Sequence, residues 1–150
     1  MGHAFRSWKR LSAIGALAYS CRTRKARVYL NLVAGTVRSP EVVRFLKHLR
    51  RHIRGPVVLL WDGLHAHRSR ETRAYIEANT RWLTVHRLPA YAPELNPVEG
   101  MWSWYKGGSV ANLCADGLRT IRTYVHRGGQ HLRRCDDVLW GFLKKAGLSF

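Results

Sequence analysis

The chain has 150 residues, with 26 Lys and Arg against 9 Asp and Glu for a formal net charge of +17, a length that fits one domain and leaves little room for a second. Hydrophobic residues make up 46%, including six Trp, six Tyr and four Phe, so a packed core is expected and charge-driven disorder is excluded. A folded domain this basic meets a polyanion, with nucleic acid ranked ahead of an anionic membrane or an acidic protein, and charge alone does not choose among them.

Leu11 to Tyr19 is apolar and bounded by basic residues, the pattern of a strand. Because Lys9 and Arg10 precede it and small residues follow, the same stretch also imitates a signal peptide. Its hairpin partner is Arg27 to Ala34, where Val28 to Val33 are rich enough in β-branched and aromatic residues for a second strand, with Cys21 to Lys25 as the turn. Ser39-Pro40-Glu41 predicts a helix start with Ser at the N-cap, and Val42, Val43, Leu46 and Leu49 recur at helical spacing. Arg44, Lys47, Arg50, Arg51 and Arg54 form its other face, a stripe that either lines DNA or only solubilises the helix. Gly55-Pro56 breaks it. Val57 to Trp61 then reads as a central strand buried on both faces and ending at Asp62.

Ser69 caps a predicted helix through Asn79, and Trp82 to Leu88 reads as a further strand closed by Pro89. After the loop Pro89 to Pro97, Val98 to Lys106 is helical, with Glu99 in the first turn and Gly107-Gly108 at the end. Asp116 to Val125 and Asp136 to Ala146 read as two helices joined by a basic Gly-rich connector, His126 to Arg134. The order predicts an α/β domain with a mixed sheet and flanking helices.

Cys21, Cys114 and Cys135 are widely spaced and contain no C-x-x-C pair, so neither a disulfide framework nor a zinc ribbon is implied and a cytoplasmic location suits them. The longest uncharged stretch, the 11 residues from Leu11 to Cys21, falls short of the roughly 20 needed to span a bilayer. No membrane partner is expected.

Acids are scarce, so their positions carry information. Asp62 ends the most apolar strand, at the rim where open α/β sheets bind ligands, and suits a hard cation such as Mg²⁺; a turn cap formed with Gly63 is the other reading. Glu99 follows Leu95-Asn96-Pro97-Val98 at a helix start, where a carboxylate can also simply face the helix dipole.

The run Leu88-Pro89-Ala90-Tyr91-Ala92-Pro93-Glu94-Leu95-Asn96-Pro97-Val98-Glu99-Gly100-Met101-Trp102-Ser103-Trp104-Tyr105-Lys106 resembles the signature of DDE transposases of the mariner superfamily, in the bacterial insertion-sequence branch labelled DDE superfamily endonuclease. Asp62 and His67 match the family's second acid and the His five positions after it, and Trp8 to Leu17 resembles the second core strand. The resemblance implies a ribonuclease H-like fold, DNA as partner (transposon ends and target), nucleoid association, and cleavage and strand transfer by phosphoryl transfer with Mg²⁺ or Mn²⁺. In that scheme two metal ions activate the nucleophile and stabilise the leaving oxygen. Asp62 and Glu99 would be the catalytic metal ligands, with His67 and Asn96 supporting them.

The family's first acid lies on an opening strand upstream of the Leu11 strand, whereas the first acid here is Glu41. No helix-turn-helix region precedes the match either. The expectation is therefore a single truncated catalytic domain, 1–150, in one of two states: a transposase portion with an incomplete site, or an inactive remnant that only binds DNA non-specifically. An edge left unpaired beside the Leu11 strand predicts self-association.

Arg68, Arg70 and Arg73 after the Asp62 strand, and Lys106 after the Glu99 helix, are candidate phosphate contacts, with an ordinary solvated basic face as the alternative. His65 with His67 as metal ligands is a lesser reading beside hydrogen bonding or phosphate contact, and Cys114, His126, His131 and Cys135 as a zinc set match the spacing of no regular finger. Trp102 and Trp104 read as packing residues, with base stacking as the alternative.

Overall fold

A computed structural model describes residues 11–107 and 118–150. Strand β1 (Leu11–Tyr19) pairs antiparallel with β2 (Ala26–Ala34), Leu11 lying opposite Ala34 and Tyr19 opposite Ala26. The first apolar stretch is thus a strand of the fold. At the turn, Ser20 N–H donates to Lys25 O and Arg24 N–H to Ser20 O, both at 2.9 Å. Strand alternation sends Ile14, Ala16, Ala18 and Tyr29 to one face of the hairpin, and Leu17, Tyr19, Ala26, Val28 and Leu30 to the other.

Helix α1 (Ser39–His52) buries Val42, Leu46 and Leu49 as read from the sequence, with Phe45 where Val43 was expected. The N-cap position belongs to Arg38, not Ser39, and the Glu41 carboxylate accepts the Arg38 N–H at 2.9 Å. That bond satisfies a backbone donor left open at the helix start. Its basic stripe is partly spent on packing: the Lys47 ammonium lies 5.9 Å from the centre of the Tyr75 ring, and the Arg50 guanidinium 5.1 Å from that of Trp82.

Strand β3 (Val57–Trp61) pairs parallel with β4 (Leu83–Arg87), Val57 opposite Leu83 and Trp61 opposite Arg87. The crossover between them contains α2 (His65–Arg68) and α3 (Arg70–Ala78). Ser69 caps α3 as predicted, its Oγ accepting the Thr72 N–H at 3.2 Å. Val57, Leu59, Trp61, Leu83 and Val85 pack with α1 and the hairpin's Tyr29 in one core.

The expectation that β3 is buried on both faces fails. Val58 is 67% exposed and Leu60 40%, because nothing among the described residues covers that side. The expected single mixed sheet is likewise two two-stranded sheets, since no described strand bonds to both pairs. The mixed α/β character is retained, with one antiparallel and one parallel pair sharing a core.

Helix α4 (Pro97–Gly107) follows a 3₁₀ turn, Pro93–Leu95; α5 (Leu118–Leu132) and α6 (Asp136–Lys145) complete the chain. Met101, Tyr105, Leu132 and Leu139 form a second core with Ala26 and Val28. Residues 126–132 are helical, correcting the predicted connector. Gly128 and Gly129 let α5 approach closely: a Cβ at Gly128 would collide with Tyr105 Cε1, and one at Gly129 would lie 3.2 Å from Leu30 Cδ1. Among the described residues no helix is long and apolar enough to cross a membrane.

Candidate active site

The carboxyl ends of the parallel strands β3 and β4 form one rim, where backbone groups and loops are free to meet a ligand. Asp62 stands there, one residue past Trp61, with its side chain 45% exposed. Its Oδ1 accepts the Leu64 N–H at 3.1 Å and lies 2.9 Å from His67 Nδ1. The Leu64 N–H bond gives Asp62 a turn-capping role, and the rest of the carboxylate stays accessible.

His67 reaches back because α2 places it one turn above Leu64, to whose carbonyl its own N–H donates at 2.9 Å. The imidazole stacks on Trp61 at 4.2 Å between centroids and 2° between planes. With its Nδ1 also 3.2 Å from the Asp62 carbonyl oxygen, the ring is clamped between an indole face and the segment it orients. Asp62 and His67, paired by the resemblance, are brought together. His65 is exposed on α2 and takes no part in the pair.

Glu99 is exposed in the first turn of α4, with its N–H donating to Asn96 O at 3.0 Å. Asn96 Oδ1 accepts the Val98 N–H at 3.2 Å and so caps the helix that carries Glu99. No hydrogen bond or ion pair joins Glu99 to Asp62 among the described residues. Arg68 on α2 and Arg70 and Arg73 on α3 are all exposed. Lys106 is exposed at the other end of α4, roughly 10 Å along the axis from Glu99 at 1.5 Å per residue. It borders a largely apolar cavity of about 380 Å³ between β1, α4 and α5.

Two residues at this rim escaped the sequence reading. Arg87 ends β4 opposite Trp61, and its Cδ lies 3.7 Å from where a Cβ on Gly63 would be. Only the pairing register places it beside Asp62, and register is not visible in a single strand. Tyr91 is 102% exposed with φ of 57°, a left-handed conformation uncommon for a bulky residue. Its ring stands free in the loop that leads to Glu99; an aromatic in a loop was the signal, with no exposure attached to it.

The donor chemistry suits a hard divalent cation in kind, since both carboxylates are accessible and Glu99 makes no side-chain bond among the described residues. No group of three or more His, Cys, Asp or Glu that could hold a metal occurs among those residues. The alternative zinc set does not assemble there: Cys135 Sγ lies 3.7 Å from His131 Nε2, His126 pairs with Gln130, and Cys114 is outside the described residues. Trp104 packs edge-on against Tyr105 at 5.1 Å, and both Trp102 and Trp104 join the second core, as the packing reading expected.

A helix-flanked hairpin and a parallel pair with a carboxylate at its carboxyl rim make a mixed α/β domain. Its structure is similar to the crystal structure of the catalytic domain of Mos1 mariner transposase, with a TM-score of 0.55 and 15% identity over 93% of this chain and 83% of that one. The Mos1 mariner paired end complex with Mn gives a TM-score of 0.60 and 16% identity over 91% of this chain and 52% of that one. The Mos1 transposase paired-end complex with left transposon end gives 0.53 and 14%, over 88% and 54%. At these identities the likeness shows the fold. Residues 3–114 match the family model of the DDE superfamily endonucleases, and the chain belongs to that family. No protein with a curated description matches it.

Proposed function

We propose that residues 1–150 are a single transposase catalytic domain that cleaves and joins DNA by divalent-metal phosphoryl transfer, acting on DNA in the cytoplasm in association with the nucleoid. The observation that carries this is Asp62: a half-exposed carboxylate at the carboxyl rim of the parallel strands, its Oδ1 fixed by Leu64 N–H and His67, inside the segment matched by the endonuclease family.

Asp62 and Glu99 would hold Mg²⁺ or Mn²⁺. A cation bound there would supply polarisation of a phosphoryl oxygen and a more acidic bound water. The neighbouring side chains do the positioning. His67, held flat on Trp61, keeps the Asp62 carboxylate in one orientation, and Asn96 fixes the start of the helix that presents Glu99. Arg68, Arg70 and Arg73 are free to contact backbone phosphates near this rim, and Arg87 adds a cation beside Asp62. Lys106 would contact DNA away from the carboxylates.

The test is nicking of a supercoiled plasmid with Mg²⁺ or Mn²⁺. Asp62→Asn and Glu99→Gln should each abolish nicking while duplex binding persists. Nicking that survives in both variants would sink the assignment. A second reading, a domain that binds DNA without cutting it, is favoured because no three metal-capable residues cluster among the described ones; it predicts binding by the unaltered chain and no nicking under any metal.

A further inference from the structure

We propose that the polar face of α5 is a second phosphate-backbone binding surface for duplex DNA, separate from the Asp62 rim. The proposal rests on the reading of the chain as a DNA-binding transposase domain and adds a surface to it. Helix α5 begins at Leu118, beyond the segment 3–114 that matches the endonuclease family. The helix packs against β2, which belongs to a different strand pair from the β3 that carries Asp62.

The inner side of α5 is settled by packing. Tyr124 and Leu132 join the second core, and Gly128 and Gly129 lie against Tyr105 and Leu30. Arg119, Arg122, Thr123, His126, Arg127 and Gln130 fall three or four residues apart on the outer side, and all are exposed. Residues 118–134 contain five arginines and no Asp or Glu. One of the five, Arg133, donates its Nε–H to Val28 O at 3.3 Å and serves the fold. For Arg119, Arg122 and Arg127 no carboxylate partner exists among the described residues, where the sole ion pair is His67 with Asp62.

Arg122, Thr123, His126, Arg127 and Gln130 wall an open groove of about 500 Å³ whose one apolar lining residue is Leu32 of β2. The set is rich in donors and holds no anion. Guanidinium forks match phosphate oxygens bidentately, and amide, hydroxyl and imidazole groups add single hydrogen bonds. Such a lining grips sugar-phosphate backbone and reads no sequence. From Arg119 to Arg127 is roughly 12 Å along the helix, the axial rise of about three to four base pairs of duplex at 3.4 Å each. The spacing of three arginines therefore matches a length of backbone, which a single small anion would not use.

The experiment measures binding of the full chain to a short labelled duplex of arbitrary sequence, in chelator, across about 50–200 mM salt. The double variant Arg122→Gln, Arg127→Gln should lower the slope of log K against log salt by about 1.8, the loss of two phosphate contacts, and weaken binding roughly 60-fold at 0.1 M salt. Equal slope and affinity in variant and parent overturn this proposal and leave the DNA-binding reading standing. Failure of the parent chain to bind duplex overturns both. A second measurement needs no variant: phenylglyoxal modification of the parent, read by mass spectrometry, should find Arg122 and Arg127 protected when duplex is present. Equal labelling with and without DNA overturns the proposal.

Discussion

The two strand pairs are built from similarly apolar sequence and end in different surroundings. The β1–β2 hairpin is covered on both sides, by α1 and its neighbours on one and by α4, α5 and α6 on the other. The β3–β4 pair is covered on one side only, with Val58 and Leu60 open to solvent. Coverage is a tertiary property, set by which helices return across a face. The less covered pair is also the one whose rim carries Asp62, and the carboxylate there is open to solvent.

Truncation should expose this contrast most strongly. Leu139 of α6 is fully buried in the core with Ala26 and Val28 of the hairpin, so Leu139→Ala should cost about 2–5 kcal/mol in urea unfolding. Val58→Thr, on the open face of β3, should stay within about 0.5 kcal/mol. A large loss from Val58→Thr would mean that this face is covered in solution after all. The next effect tests the close approach within the covered half. Gly128→Ala gains about 1 kcal/mol of helix propensity but drives a methyl into the Tyr105 ring, an overpacking that costs about 1–3 kcal/mol. Gly141, mid-helix in α6 with nothing within 4 Å of its would-be Cβ, should show the propensity gain alone on changing to Ala. If both variants are stabilised, α4 and α5 are not in the contact described.

What could be read from the sequence was local. The bounds of β1 and β3, the Ser69 cap and the Asp62–His67 spacing all depend on neighbours a few residues apart, and the structure shows each of them. Depth of burial did not follow from apolarity, as Val58 and Leu60 demonstrate. Nor did the meaning of Gly128-Gly129: two glycines read as a break when only chain propensity is weighed, and as a packing notch once Tyr105 is known to lie against them. Tyr105 is remote in sequence, so no local pattern could supply it. The place of Arg87 beside Asp62 has the same cause, since it follows from strand register. Asp62 and Glu99 were singled out as candidates by motif. How α4 orients Glu99 depends on the Asn96 cap.

The smallest expected effect is a difference in pH response between the two halves. On α1, burial lowers the His48 pKa below its ordinary 6.5, and the charges of His52, Arg51 and Arg133 lower it further. The unfolded chain takes up that proton near 6.5 and the folded chain only at lower pH. The contribution of His48 to stability is therefore present above 6.5 and lost as pH falls through that value. In the other half, burial pushes the Tyr105 hydroxyl up from 10.0 to about 12, with Tyr124 adding to the rise and Arg133 opposing it. Here the folded chain keeps a proton that the unfolded chain releases, so stability is present below pH 10 and lost as pH rises toward 12. Urea midpoints measured from acid to alkali should thus fall at both ends. His48→Gln should flatten the acid arm and leave the alkaline one. Tyr105→Phe should soften the alkaline arm, at the cost of its hydrogen bond to Val125 O at 2.9 Å, and leave the acid arm as it was. An acid arm unchanged by His48→Gln would place the acid-sensitive group elsewhere and remove this distinction between the halves.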